Sequence, residues 1–234
     1  MSTPEIHEYD ISIMQIADSF FPTGMYSTSS GLETFFYQKK IRTAIEVQKM
    51  LKVYLENQIG PADCVALGNA FESARSSDLE KLKEADLRLF SMKLVKEIRD
   101  VAVRSGTQLL RCVDSITSEG KILRAYRGAI QNNEASGIYP VALAVACFTF
   151  GIPKAKAGLI LVYSFAVSVV GAALRLGILD HIEGQKVIAE LKPVMLNTVE
   201  KNVNRSSLGM WQFAPEIDIT QIMHEQADTR MFIS

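Results

Sequence analysis

Side chains able to do bond chemistry are few and scattered in this sequence. Histidine occurs three times in 234 residues, at His7, His181 and His224. His224-Glu225-Gln226-Ala227-Asp228 reads as the start of a His-Glu-x-x-His zinc helix, but Asp228 stands where the second histidine belongs. Histidine and aspartate four apart share a helix face, yet two ligands leave a metal site open. A helix cap or solvated polar face is the preferred reading. Asp18, Glu33 and Asp63 could serve as acid/base groups in a helical enzyme, which is kept as an alternative. No Gly-x-Ser-x-Gly elbow positions a serine nucleophile. Neither a Gly-x-x-x-x-Gly-Lys-Ser/Thr loop nor a Gly-x-Gly-x-x-Gly turn binds phosphate. Gly24 and Gly31 enclose hydroxyl residues that could cradle an anion, with Lys39 and Lys40 the nearest cations. That reading is weak beside one in which the loop makes a contact. Cys64, Cys112 and Cys147 lie far apart, without zinc-type spacing, and are expected to be buried thiols of a reducing compartment.

What must position these groups is helix. Phe20 to Glu33, "FFPTGMYSTSSGLE", is the exception: helix breakers and hydroxyl residues between two aromatic pairs. Pro22 sets the chain after an aromatic anchor and Gly24 permits a tight turn. Ser30-Gly31-Leu32-Glu33 fits a capping box, as do Thr43 to Glu46 and Ser77 to Glu80. Ile59-Gly60-Pro61 is expected to end one helix and open the next. Ser91 to Val113 is amphipathic, with Leu94, Ile98, Val101, Ala102, Leu109 and Leu110 on one face. The pairs Lys93–Glu97 and Lys96–Asp100 lie opposite. Asp180 is placed as an N-cap, and Pro193 should kink or divide the helix from Glu183 to Val203.

Ile138–Phe150 and Ala157–Leu174 are strongly apolar. The second is uncharged and long enough to touch the membrane threshold. Its Ala, Gly and Ser content, missing aromatic belt and unbiased flanking charges favour a helix buried in a bundle. The expectation is an all-α, single-domain bundle over 1–234, of roughly eight to ten helices around a buried apolar central helix pair. Residues 205–234 form a tail whose apolar end, Met231-Phe232-Ile233, either folds back or is ordered by a partner.

Composition narrows the function. The hydrophobic share is 48%, mean hydropathy +0.11 and net charge -1. Such a balance offers no electrostatic case for nucleic acid. The polar, acidic start has neither the basic residues nor the apolar core of a signal sequence, which points to the cytoplasm; a membrane-associated helical protein using Ala157–Leu174 is kept as a second alternative.

Four stretches in order carry a family resemblance. "IMQIADSFFPTGMYSTSSGLE" resembles the N-terminal signature of the urease accessory protein UreF family through Gln15, Asp18, Ser19, Phe21, Pro22, Gly24, Tyr26, Ser27, Ser29, Gly31, Leu32 and Glu33. Asp63 follows in the next helix. Glu97, Arg99, Gly106, Leu109 and Leu110 match a Glu-x-Arg…Gly-x-x-Leu-Leu helix. Tyr139-Pro140-Val141, Gly151-Ile152-Pro153, Arg175-Leu176 and Gly184-Gln185 mark the central apolar pair, and His224, Glu225, Arg230, Phe232 and Ser234 the ending. Met25 replaces a family glycine, and Thr28 replaces a histidine, so no metal ligand carries over to that loop. The run from Arg175 to His181 also departs from the family pattern.

The resemblance implies a non-enzymatic chaperone of urease maturation, all-α and dimeric. Such a protein binds UreD (also called UreH) and recruits and regulates the GTPase UreG. It serves nickel delivery to apo-urease, with nickel handled transiently by the complex and no cofactor held stably. Tyr26, Ser27, Ser29, Gly31 and Glu33 are then expected to form a contact or conduit-lining segment. His224 belongs with the partner-binding set, and Arg230, Met231 and Phe232 are expected to dock in trans, the ring supplying buried area and the arginine a directional contact.

Overall fold

The computed structural model describes residues 6–24, 28–117, 120–226 and 230–233. Among them there are eleven α-helices and no strand. Ten of the helices have ten residues or more: α1 Glu8–Ala17, α3 Ala44–Tyr54, α4 Val65–Arg75, α5 Leu79–Met92, α6 Lys96–Ile116, α7 Lys121–Gln131, α8 Tyr139–Thr149, α9 Lys154–Arg175, α10 His181–Asn202 and α11 Pro215–Glu225. The remaining one, α2 Leu32–Tyr37, is short.

The two apolar segments become α8 and α9, the centre of the bundle. Every side chain of α8 from Tyr139 to Cys147 is buried. Helix α8 packs against α4 and α6, while α9 packs against α10 and α1. Helix α9 is the only described helix long and apolar enough to cross a membrane, and 61% of its apolar stretch is buried within the chain itself. Gly68 lets α4 approach the turn after α10, since a Cβ there would lie 1.9 Å from the Val203 carbonyl oxygen.

Local signals hold where no distant partner competes. Thr43 and Glu46 form the expected box, and Asp180 caps α10 with Glu183 completing a second one. Lys96 pairs with Asp100 at 2.7 Å. Pro193 lies inside α10 without dividing it.

Other expectations fail for identifiable reasons. Leu55–Cys64 runs on from α3 as a π-helix through Pro61, with no break at Ile59-Gly60-Pro61. Wide turns of this kind leave carbonyls poorly paired along the axis. Two find partners in the segment before α11, where Trp211 N–H donates to Pro61 O and Phe213 N–H to Asn57 O. The expected helix from Ser91 to Val113 divides between α5 and α6 at Lys93–Val95 because Lys93 turns inward. Its Nζ meets Asp63 Oδ2 at 2.6 Å, both side chains at most 10% exposed, so Lys93 does not pair with Glu97. Leu94 consequently points out, 68% exposed. The cap of α5 is Asp78, which accepts from Lys81 N–H; Ser77 before it has φ +56°. Cys64 and Cys147 are buried, but Cys112 is half-buried.

Candidate functional site

The expected Ser30–Glu33 capping box does not form. Ser30 adopts φ +53° and Gly31 φ +84°, the left-handed region that Gly31 enters without penalty. Gly31 serves as N-cap of α2 with no side-chain cap. Ser29 Oγ, fully buried, lies at the outer limit of hydrogen bonding from Glu33 N–H at 3.5 Å. The Ser30 carbonyl accepts from Tyr54 Oη, which in turn accepts from Gln221 Nε2 at 2.7 Å. Loop, α3 and α11 are thereby tied together. Burial pushes the Tyr54 hydroxyl far up, so it stays a neutral donor.

Freed from the cap, the Glu33 carboxylate receives the C-terminus. It is 2% exposed, and accepts from Met231 N–H (2.7 Å, Oε1) and Phe232 N–H (3.2 Å, Oε2). His224 Nε2 lies 2.9 Å from the same Oε2, and His224 Nδ1 lies 2.9 Å from Glu97 Oε2. Each ring nitrogen of His224 therefore faces one carboxylate oxygen. Arg230 Nη1 completes the chain at 2.6 Å from Glu97 Oε1. The Phe232 ring, 4% exposed, sits beneath the Arg175 guanidinium with 4.4 Å from cation to ring centre. Burying such a ring contributes about 1.5–3 kcal/mol, and a cation over its face about 0.5–2 kcal/mol more.

Seven of the nine residues singled out from sequence therefore meet at one end of the molecule: Ser29, Gly31, Glu33, His224, Arg230, Met231 and Phe232. Tyr26 and Ser27 lie outside the described residues. So do Ala227 and Asp228, the remainder of the zinc-like motif. His224 is not solvated: it is 1% exposed and held between two carboxylates. Among the described residues no three His, Cys, Asp or Glu side chains are arranged to hold a metal ion. In the isolated chain Phe232 packs in cis rather than projecting to a partner, while Met231 and Ile233 stay 60% and 43% exposed. Sequence reasoning gave Tyr54 and Gln221 no part in this site. Glu97 was read as the i,i+4 partner of Lys93 and as a point of the family resemblance, and Arg175 as a point of that resemblance, neither as part of this site.

The acid/base alternative does not assemble. Asp18 is exposed and accepts from Phe20 N–H, Glu33 holds the tail, and Asp63 pairs with Lys93. The three carboxylates have no partner in common. Burial pushes the Asp63 carboxyl up, and the Lys93 ammonium opposes that shift.

Helix α11 is inside out. Its inward residues are Ile217, Thr220, Gln221 and His224; its outward residues include Ile219 (58% exposed), Ile222 (44%) and Met223 (47%). Helices on globular surfaces normally turn the apolar stripe inward. Here the polar face is consumed by Tyr54, Glu33 and Glu97, and the apolar stripe faces out.

Fold and site define an all-α protein whose buried polar cluster fastens its own C-terminus and presents an apolar helix face. The UreF family model matches residues 41–192. The urease accessory protein UreF of Trichodesmium erythraeum (strain IMS101) is 30% identical over 222 residues, covering 95% of each chain. That of Corynebacterium glutamicum (strain R) is 29% identical over 225 residues, covering 96% of this chain and 98% of its own. UreF 2 of Brucella suis (strain ATCC 23445 / NCTC 10510) is 29% identical over 224 residues, covering 96% and 91%. The chain belongs to the UreF family.

Proposed function

We propose that this chain is a non-enzymatic adaptor in urease maturation, working in the cytoplasm. It binds UreD/UreH, recruits and regulates the GTPase UreG, and serves nickel insertion into apo-urease as a homodimer. Nickel passes as cargo through the assembly. The family membership supports the maturation role, and the relatives carry the name urease accessory protein.

The inverted helix α11 is the observation that carries the adaptor reading. A contiguous apolar stripe rimmed by polar residues is what a protein-binding surface needs. Helix α11 presents one in Ile219, Ile222 and Met223, on a backbone braced by Tyr54, Glu33 and Glu97, and Met231 and Ile233 of the tail are exposed as well. We assign this face to UreD/UreH. The tail then acts in two ways: Phe232 and the Glu33 hydrogen bonds set its course in cis, and Met231, Ile233 and Arg230 form the rim that a partner covers. The opening loop, from Tyr26 to Gly31, serves as a contact segment.

The test is complementation. In a host with urease and its other accessory proteins but lacking its own UreF, this chain should restore urease activity and co-purify with UreD and UreG. Unrestored urease activity in cells that accumulate the folded chain would contradict the proposal.

A further inference from the structure

A second surface lies away from α11, in the cleft between α6, α7 and the Pro22–Gly24 turn. It has a volume of about 490 Å³. Its floor includes Leu110 and Ile130, and three arginines line it: Arg104 and Arg111 from α6 and Arg127 from α7. Arg127 is neutralised by Asp114. Arg104 and Arg111 are exposed, and among the described residues neither guanidinium has a hydrogen bond or ion pair. They sit seven residues apart on one helix, about two turns and so about 10.5 Å along the axis.

Arg104 and Arg111 thus form an unneutralised positive pair over the apolar Leu110 and Ile130. Elsewhere Lys96 is matched by Asp100, Lys83 by Glu80 and Glu134, and Arg88 by Glu84. Arginine pairs bidentately with carboxylates, which makes an unmatched pair a reader of carboxylate spacing. A polypeptide matches that axial separation: in a polyproline II segment residues three apart share a face and lie about 9 Å apart.

We propose that this cleft binds an extended acidic segment of a partner protein, carrying two carboxylates three residues apart, with the side chain between them over Leu110 and Ile130. The surface is separate from the α11 face and goes beyond the adaptor role assigned there. It requires neither nickel nor urease, so it can be tested on the purified full chain.

The probe is a fluorescein-labelled peptide, Gly-Pro-Glu-Pro-Leu-Glu-Pro-Gly, measured by fluorescence anisotropy. Saturable binding should weaken severalfold between about 50 and 200 mM salt, as expected for exposed charges. Arg104→Gln and Arg111→Gln should each weaken it about fivefold, the scale of an exposed charge pair. Lys121→Gln, at an exposed cation of α7 outside the cleft, should leave it unchanged. A peptide of the same composition with adjacent glutamates should bind more weakly than the probe. The proposal is overturned if the probe does not bind, if both arginine variants bind like the parent, or if the adjacent-glutamate peptide binds equally well. Inorganic phosphate or a single-stranded oligonucleotide outcompeting the probe would also overturn it, since the site would then read phosphate. Complementation is scored independently, so its failure and the failure of this binding are distinguishable.

Discussion

Glu33 shows how a short local signal can be redirected by a distant partner. Its spacing from Ser30 fits a helix cap, yet its carboxylate lies within 3.2 Å of two tail N–H groups and 2.9 Å of His224. Hydrogen bonds to charged groups contribute about 1.5–3 kcal/mol each, and orphaned buried partners add cost. Glu33→Ala is expected to lower unfolding free energy by about 2–4 kcal/mol in urea titration. It should also expose the Met231 and Phe232 amides to fast hydrogen exchange. Retained protection of those amides would mean the carboxylate does not hold the tail. The Asp63–Lys93 pair makes a different demand. Removing either partner leaves a buried charge, so Asp63→Ala and Lys93→Ala should each cost about 3–5 kcal/mol. The double variant should cost clearly less than the sum of the two, and simple additivity would sink the claim that they form one unit.

Elements were legible in proportion to how local their causes are. The caps at Thr43 and Asp180, the apolar runs of α8 and α9 and the i,i+4 pair on α6 all follow from residues within one or two turns. The π-helix through Pro61 was not legible, because its carbonyls are bonded by Trp211 and Phe213, 150 or more positions away. For the same reason α11 could be read as a short helix but not oriented. Thr220, Gln221 and His224 look like a solvent face until Tyr54, Glu33 and Glu97 are placed beneath them. Between α4 and α9, Lys154 bonds Glu72 and holds its carboxyl below the ordinary value of 4.5. A depressed folded-state value contributes stability above the unfolded value, and this contribution is lost as pH falls through the folded one. The stability difference between the parent and Lys154→Ala should thus be present at neutral pH and shrink as pH drops below about 4.5. A difference that grows in acid would rule the linkage out.

At the scale of the whole molecule, the chain divides labour between a buried helix pair and a polar fastening at one end. Helices α8 and α9 supply the core, and the fastening orients α11 so that its apolar stripe stays outward. Cys64 and Cys147 are buried, with thiols pushed far up by burial. What the fold presents is surface. The most direct measurement is therefore urease activity in the UreF-deficient host carrying Ile219→Glu/Ile222→Glu. Both side chains point outward, so thermal stability should change little, each substitution falling within about 0.5 kcal/mol. Our account expects this folded variant to lose urease activation and UreD co-purification together. Full urease activity from the same folded variant would contradict it.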